Sequence, residues 1–338
     1  MTRPPIAEGA ADEAPAPYAA APTAPLAPAI GLDLGGTKIA AALVAADGTI
    51  TARHTVPTPG RDGPDAVLDA LATAARAVLP CGGRAPAPTG IGVAACGVID
   101  PVGGLVRAAT DQIRNWTGAP LGPGLAARTG LPVACDNDVR AAAGPEFAAL
   151  PGPAPSLAYL SVGTGIGGAV AVDGRMLHGH AGIAGHLGHL PSPEATGLPC
   201  SCGATGHVEA IASGPGITAL YGRLSGSPVA RLEHVVARAA AGDATAAEAI
   251  RIGGQAAGRT LGGLANAFGP GHVVVGGGVP RTGARYWAAL RAGFASEVLA
   301  PLRALVPRPP RHGHDSPLLG AAALVTTLPL HHPSGALV

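Results

Sequence analysis

The stretch that decides the fold is IGLDLGGTKIAAALVAADG, residues 30–48. Two apolar runs are joined by a glycine turn, and the second run ends at Asp47-Gly48, a dipeptide typical of hairpin turns. A third strand-like segment follows, so the stretch predicts three consecutive β-strands. Beyond it, apolar positions recur with helical spacing over residues 64–79, which predicts an amphipathic helix with Pro64 in its first turn.

The same order of features returns about 130 residues later, at LAYLSVGTGIGGAVAVDG, residues 157–174. A period of domain size predicts two related α/β halves rather than a solenoid. Gly163, Gly165 and Gly168 match the spacing of a dinucleotide-binding fingerprint, but that fingerprint opens a helix, and the pattern here predicts a strand. Glycine hairpins can hold phosphates through backbone N–H groups, so one in each half predicts a nucleotide between two lobes. The alternative is a pair of simple tight turns.

The composition excludes several classes of function. The 338 residues carry 22 Lys+Arg against 21 Asp+Glu, a formal net charge of +1, which attracts neither nucleic acid nor an anionic membrane. No apolar stretch approaches the roughly 20 residues of a membrane span, and no secretory signal is recognisable. Five cysteines are too few for a disulfide scaffold, so a cytoplasmic, reduced protein is expected.

Both ends of the chain are expected to lie outside the core. Residues 1–28 are rich in alanine and proline and lack a periodic apolar face, which predicts a disordered extension. Residues 328–338 are interpreted as a loose tail, and His331 and His332 in it are expected to be solvated.

A cluster of histidines and cysteines predicts a metal site. Cys200 and Cys202 are followed by His207, and His189 lies eleven residues before Cys200. Zinc prefers tetrahedral thiolate and imidazole ligands, and a closed set of four is typical of a structural site. The alternatives are two free thiols in a loop, or a disulfide between them, which a reducing compartment disfavours.

Seven motifs occur in a fixed order between residues 30 and 325: DLGGTK, CDNDVRAAAGPEF, SVGTGIGGAV, AGHLGH, CSCGATGHVEAIASG, VVVGGGV and DSPLLGAAAL. Together they resemble the ROK family of sugar kinases and repressors, within the actin-like ATPase superfamily. The resemblance implies an α/β, two-lobed actin-like ATPase (ribonuclease H-like) fold with duplicated halves and a zinc-containing loop. It also implies ATP, Mg²⁺ and structural Zn²⁺ as cofactors, and a homodimer. The lobes would comprise residues 29–140 plus 315–327, and residues 141–314.

The resemblance also assigns residues to the nucleotide and its Mg²⁺. They are Asp33, Gly35, Gly36, Thr37, Lys38, Gly163, Thr164, Gly165, Gly167, Gly276, Gly277 and Gly278. Asp33 lies at the end of an apolar strand beside a glycine turn, which suits a ligand that holds Mg²⁺ directly or through water. Its alternative role is to stabilise the turn.

For the sugar, the resemblance makes Asp138 the general base, because a hydroxyl must lose its proton as the γ-phosphoryl group is transferred. Asn137 or Asp138 could instead simply cap the helix that follows. The implied sugar ligands are Asn137, His186, His189, Glu209 and Gly97. His189 would be shared between zinc and sugar, and Glu209 has an alternative role as a first-turn helix charge. Gln112 stands where the family often has a sugar-binding asparagine.

Two positions depart from the family pattern. His207 stands where a third cysteine is usual, which leaves a Cys2His2 set. His186 replaces the glutamate of AGE-x-GH, and this form is similar to bacterial N-acetylmannosamine kinases. It predicts ATP-dependent conversion of N-acetylmannosamine to its 6-phosphate in amino-sugar or sialic acid metabolism, with a glucokinase or broad hexokinase as the alternative. A sugar-sensing repressor is disfavoured because the 29 residues ahead of the first strand are Pro-rich and nearly neutral.

Overall fold

The computed structural model describes residues 25–80, 86–153 and 155–333. Its strands are β1 (Ala29–Leu34), β2 (Lys38–Val44), β3 (Ile50–Pro57), β4 (Ile91–Ala95), β5 (Val98–Asp100), β6 (Leu105–Ala108), β7 (Val133–Asn137), β8 (Leu157–Val162), β9 (Ile166–Val172), β10 (Arg175–Met176) and β11 (His272–Gly276). Its α-helices are α1 (Pro64–Ala77), α2 (Leu121–Thr129), α3 (Asp138–Ala148), α4 (Glu209–Ala212), α5 (Gly214–Ser225), α6 (Leu232–Ala240), α7 (Ala244–Phe268), α8 (Ala284–Glu297) and α9 (Ser316–Leu324). Residues 1–24 of the predicted extension and 334–338 of the predicted tail lie outside the described residues.

Two mixed β-sheets repeat one arrangement. The first has the strand order β3-β2-β1-β4-β7, and the second has the order β10-β9-β8-β11. In the first sheet, β1 pairs antiparallel with β2 and parallel with β4; in the second, β8 pairs in the same way with β9 and β11. The predicted duplication is confirmed. Because β9 follows the glycine turn directly, the dinucleotide-binding fingerprint lacks the helix that it requires.

Helices cover both sheets with apolar faces. α1 begins with Pro64 and buries Leu68 and Leu71 against the first sheet, as its spacing predicts. In the second half α7 packs against α8, and Tyr286 and Phe294 of α8 lie in the shared core. α9 packs against β1, β4 and α3, so the chain returns to the first sheet near its end. Across the described residues, no helix combines the length and hydropathy that crossing a bilayer requires.

The segment after α9 corrects one prediction. His331 bridges to Val133 in β7: its backbone N–H donates to the Val133 oxygen over 2.7 Å, and the Val133 N–H donates back over 3.0 Å. His331 is only 6% exposed, and one ring nitrogen lies 3.3 Å from the Pro101 carbonyl oxygen. The prediction that His331 is solvated is wrong, because β7 is an edge strand whose backbone groups pair with the returning chain.

Candidate active site

Two clefts lie at the carboxyl ends of the parallel strands, and they meet. The large cleft has a volume of about 1550 Å³ and includes Lys38, Gly163, Thr164 and Gly278 in its lining. The small cleft has a volume of about 720 Å³. Its lining includes Gly35, Gly36, Gly97, Asn137, Asp138, Gly163, Thr164, Gly165, Gly167, His186, His189 and Glu209 from the predicted set. Gly163 and Thr164 line both clefts, so the glycine turn after β8 forms their boundary.

Four of the predicted nucleotide residues line neither cleft, although each is within two positions of one that does: Asp33, Thr37, Gly276 and Gly277. Burial raises the pKa of Asp33, and the positive charge of Lys38 partly offsets that rise. A largely buried carboxylate beside a glycine turn is therefore present in the first half of the molecule, and it is suited to bind a cation.

Asp138, the first residue of α3, has the properties of a general base. Burial, helped by the negative charge of Asp33, raises the pKa of Asp138 to about 6. One carboxylate oxygen accepts hydrogen bonds from Asn137 Nδ2 and from the Val139 amide, both over 2.9 Å. A carboxylate that is held in this way and titrates near pH 6 can accept a proton at neutral pH.

Asn137 caps α3, the alternative that the sequence left open. Its Oδ1 accepts from the amides of Val139 and Arg140 over 3.0 and 3.3 Å. Its Nδ2 donates to the Gly97 carbonyl over 3.0 Å and to Asp138. Both N–H groups and both acceptor positions of the amide are therefore used within the protein. Asn137 links the chain after β4 to the Asp138 carboxylate.

His186 presents a neutral ring to the small cleft. Its Nδ1 lies 2.9 Å from the Ile183 carbonyl oxygen, so Nδ1 carries the hydrogen and Nε2 remains an acceptor. Burial lowers the pKa of His186, and the nearby charge of Arg140 lowers it further. The Ile183 side chain is 52% exposed and lines the same cleft. The cleft thus combines a hydrogen-bond acceptor with an apolar contact.

Glu209 and Gln112 each lie over one of the glycine turns and line the small cleft. Glu209 accepts from the Ile166 amide over 2.7 Å and from the Ser201 hydroxyl, so it joins the second turn to the loop that carries the two clustered cysteines. It is also the first residue of α4, as its alternative interpretation expected. Gln112 lies against the first turn, where a Cβ added at Gly36 would be 2.4 Å from its Oε1.

The predicted metal ligands converge. His189, Cys200, Cys202 and His207 offer ligand atoms that all lie within 4.8 Å of one another. His189 Nδ1 lies 3.6 Å from Cys200 Sγ, and His207 Nδ1 lies 3.3 Å from Cys202 Sγ. Usual zinc bond lengths in a tetrahedron place neighbouring ligand atoms roughly 3.3–3.8 Å apart. The cluster could therefore hold zinc with little rearrangement, and His189 also lines the small cleft.

Comparisons with known proteins agree with this geometry. The profile of the ROK family matches residues 29–328.

The chain belongs to the ROK family.

An N-acetylmannosamine kinase from Escherichia coli (strain 55989 / EAEC) is 37% identical to this ROK protein over 303 residues, 87% of this chain and 97% of the relative. Among solved structures, a ROK hexokinase from Thermus thermophilus is 34% identical, with a TM-score of 0.74 and coverage of 88% of this chain and 97% of that one. A ROK family glucokinase from Streptomyces griseus, in complex with glucose and AMPPNP, is 28% identical, with a TM-score of 0.75 and coverage of 88% and 98%.

Sequence reasoning missed a buried cluster behind Asp138 in this ROK chain. Arg140 Nε and Nη2 lie 2.8 and 2.7 Å from Asp136 Oδ1, and His178 Nε2 lies 2.9 Å from Asp136 Oδ2. Burial opposes ionisation of Asp136, but Arg140 and His178 outweigh it and hold its pKa well below the usual range. The four-residue spacing of Asp136 and Arg140 is the one local signal of this pair. Ile183 was missed as well, although it directly precedes the AGHLGH motif.

Proposed function

We propose that this chain, an ATP-dependent sugar kinase of the ROK family, transfers the γ-phosphoryl group of ATP to the C6 hydroxyl of N-acetylmannosamine. The observation that carries the proposal is the meeting of the two clefts at Gly163 and Thr164, with Asp138 in the smaller one. A nucleotide in the large cleft and a sugar in the small cleft would place the transferred phosphate at the shared glycine turn.

Asp138 would act as the base in this transfer. As the sugar oxygen attacks, its bond to the γ-phosphorus forms, the bond from that phosphorus to the bridging oxygen breaks, and ADP leaves. The hydroxyl proton passes to the Asp138 carboxylate. Asn137 orients that carboxylate through its Nδ2 hydrogen bond, while the glycine turns after β1 and β8 would contact phosphate oxygens through backbone N–H groups.

Asp33 would hold the Mg²⁺ that accompanies ATP. Its carboxylate is largely buried with a raised pKa, and its charge is close enough to raise the pKa of Asp138. The Asp33 carboxylate supplies the kind of oxygen donor that a hard cation prefers. The bound ion would neutralise phosphate charge.

His186 and Ile183 support an N-acetylated sugar as the substrate. The Nε2 acceptor of His186 can pair with an acetamido N–H, and the exposed Ile183 side chain can contact the acetyl methyl group. The 37% identity to an N-acetylmannosamine kinase points to the same substrate. Glucose is the alternative, because a ROK hexokinase and a ROK glucokinase are similar at 34% and 28% identity.

A coupled ADP-release assay with N-acetylmannosamine and glucose side by side tests the substrate. We expect the higher kcat/KM with N-acetylmannosamine, and we expect His186→Glu to shift the preference toward glucose. If the wild-type protein prefers glucose, the substrate part of the proposal fails. Asp138→Asn should abolish turnover with either sugar, whereas Asp173→Asn, at an exposed hairpin turn, is the matched control and should not.

We also propose that the zinc is structural, and that the protein is a cytoplasmic homodimer. Metal analysis should give about one zinc per chain. His207→Ala should lower that content and His207→Cys, which restores the usual family set, should retain it. Analytical ultracentrifugation tests the dimer, and a monomer at micromolar concentration would contradict it.

A further inference from the structure

We propose that Arg140 is a positioning residue that fixes the loop of residues 178–186, called here the histidine loop, relative to Asp138. The inference rests on the proposed function, because it concerns the sugar contact that His186 would make. The Arg140 side chain is 0% exposed and lines neither cleft. Arg140 therefore does not contact the contents of either cleft directly. It acts through the residues that it holds and through its charge, which lowers the pKa of His186.

One guanidinium group joins three separate segments of the chain. Its Nε and Nη2 bind Asp136 at the end of β7, and Nη2 also lies 3.4 Å from the Ile99 carbonyl of β5. Its Nη1 donates to two carbonyls of the histidine loop, Gly182 over 3.0 Å and Ala184 over 2.7 Å. Because the guanidinium is planar and its donors have fixed directions, these acceptors are held at fixed mutual positions.

The Asp136 carboxylate connects the loop to the base. Its Oδ2 lies 2.9 Å from His178 Nε2, which fastens the start of the histidine loop. Its Oδ1 accepts from the Asn137 amide over 2.7 Å. Asn137 in turn orients the Asp138 carboxylate. The loop that carries His186 and the residue that would take the proton therefore share one buried anchor.

The histidine loop needs an external anchor because its backbone conformation is unfavourable. Ala181 has a φ of 52°, in the left-handed region that non-glycine residues rarely adopt. Gly182 has a φ of 79°, and a Cβ there would lie 2.1 Å from the Ile99 oxygen. Without the Arg140 hydrogen bonds, the loop could relax away from this arrangement. His186 would move with it, since its ring is bonded to the Ile183 carbonyl inside the loop.

Arg140→Lys tests the inference, because lysine keeps the charge but cannot reach all of these acceptors. We expect the KM for N-acetylmannosamine to rise at least about tenfold and the preference over glucose to fall by a similar factor. The KM for ATP and the zinc content should stay at wild-type values. Arg308→Lys is the matched control: Arg308 pairs with the buried Glu146 over 3.1 Å and has no hydrogen bond to the histidine loop among the described residues.

Gly182→Ala provides a second route to the same result, because it disturbs the loop and leaves Arg140 intact. Both variants should raise the sugar KM, leave the KM for ATP unchanged, and speed hydrogen exchange of amides in residues 178–187. A wild-type sugar KM with wild-type exchange in Arg140→Lys would overturn the inference. If that variant does not fold, Gly182→Ala decides: an unchanged sugar KM overturns the inference and a raised one supports it.

Failure of the proposed function would look different. The wild-type protein would then not prefer N-acetylmannosamine. In that case the KM of the variants is measured with the sugar that the wild-type protein does phosphorylate. A raised KM for that sugar would still support the role of Arg140.

Discussion

The two glycine turns of the molecule have the same backbone arrangement but different side chains beside them. β1 and β8 each have 6 residues with the same burial pattern, and each leads through a three-residue turn into an antiparallel strand. Asp33 and Ser161 are the fifth residues of these strands and occupy matching places. The duplicated fold therefore places two similar three-residue turns, and only the first is preceded by an acidic strand residue.

Replacing that side chain should have the largest effect. Asp33→Ser makes the first turn resemble the second, and we expect kcat to fall roughly a hundred- to a thousandfold, the range for loss of one preorganised electrostatic group. Ser161→Ala is the control in the second half and should change kcat little. Both are measured by ADP release, with circular dichroism to check the fold. Wild-type turnover in Asp33→Ser would mean that the two turns are chemically equivalent after all.

The pH dependence of the reaction tests whether Asp33 also acts on Asp138. The protonated form of Asp138 cannot accept a proton, and its pKa is about 6. We therefore expect kcat/KM to decrease as the pH falls through 6, to roughly a tenth of its plateau at pH 5 for a single titrating group. The residual activity of Asp33→Ser should titrate at lower pH, because the Asp33 charge, which adds to the effect of burial on the pKa of Asp138, is gone. If kcat/KM of that variant decreases over the same pH range as in the wild-type protein, the two carboxylates do not interact.

The features that the sequence predicted are those with a local signal. Paired strands around Gly-Thr and Asp-Gly turns, the helix that follows Pro64, and the His and Cys spacing of the metal cluster all depend on residues close in sequence. The Arg140 contacts do not: Gly182 and Ile99 lie 42 and 41 positions away. The bridge between His331 and Val133 also joins distant segments, so no local pattern reveals it.

Asn137 shows a different limit of prediction from sequence. An amide between a strand and a helix suits both a cap and a ligand, and the same residue type is required for either role. The structure shows the cap, because both amide groups are bonded within the protein. Local sequence could place this residue at the site but could not assign its hydrogen bonds.

The side chains that lie over the two turns should differ in their effect on stability. Glu209→Ala leaves the Ile166 amide without its acceptor and separates the second turn from Ser201, which we expect to cost about 1–3 kcal/mol of unfolding free energy. Gln112 is exposed, and Gln112→Ala should cost clearly less. Urea titration measures both, and Ser201→Ala separates the hydroxyl contact from the amide contact. Equal losses for Glu209→Ala and Gln112→Ala would contradict the difference between the turns.

The smallest expected difference is between the outer edges of the two sheets. It concerns how the contribution of each edge to the free energy of unfolding changes with pH. His331 pairs with β7 in the first sheet, and Arg308 pairs with β11 in the second. Burial lowers the pKa of His331 below its usual 6.5. Below pH 6.5 the unfolded chain therefore binds more protons than the folded chain at this residue, and the free energy of unfolding decreases as the pH falls. At the edge of the second sheet the paired residue is an arginine rather than a histidine.

His331→Gln removes the titrating ring while keeping the backbone pairing with Val133, so thermal melts between pH 7.5 and 5.5 should show a smaller loss of Tm than in the wild-type protein. His186 and His272 also have lowered pKa values, which leaves part of the slope in the variant. Arg308→Lys should keep the full wild-type slope. If Tm falls with pH equally in His331→Gln and in the wild-type protein, the His331 ring does not contribute to the pH dependence. The returning chain would then stabilise the first sheet through its backbone alone.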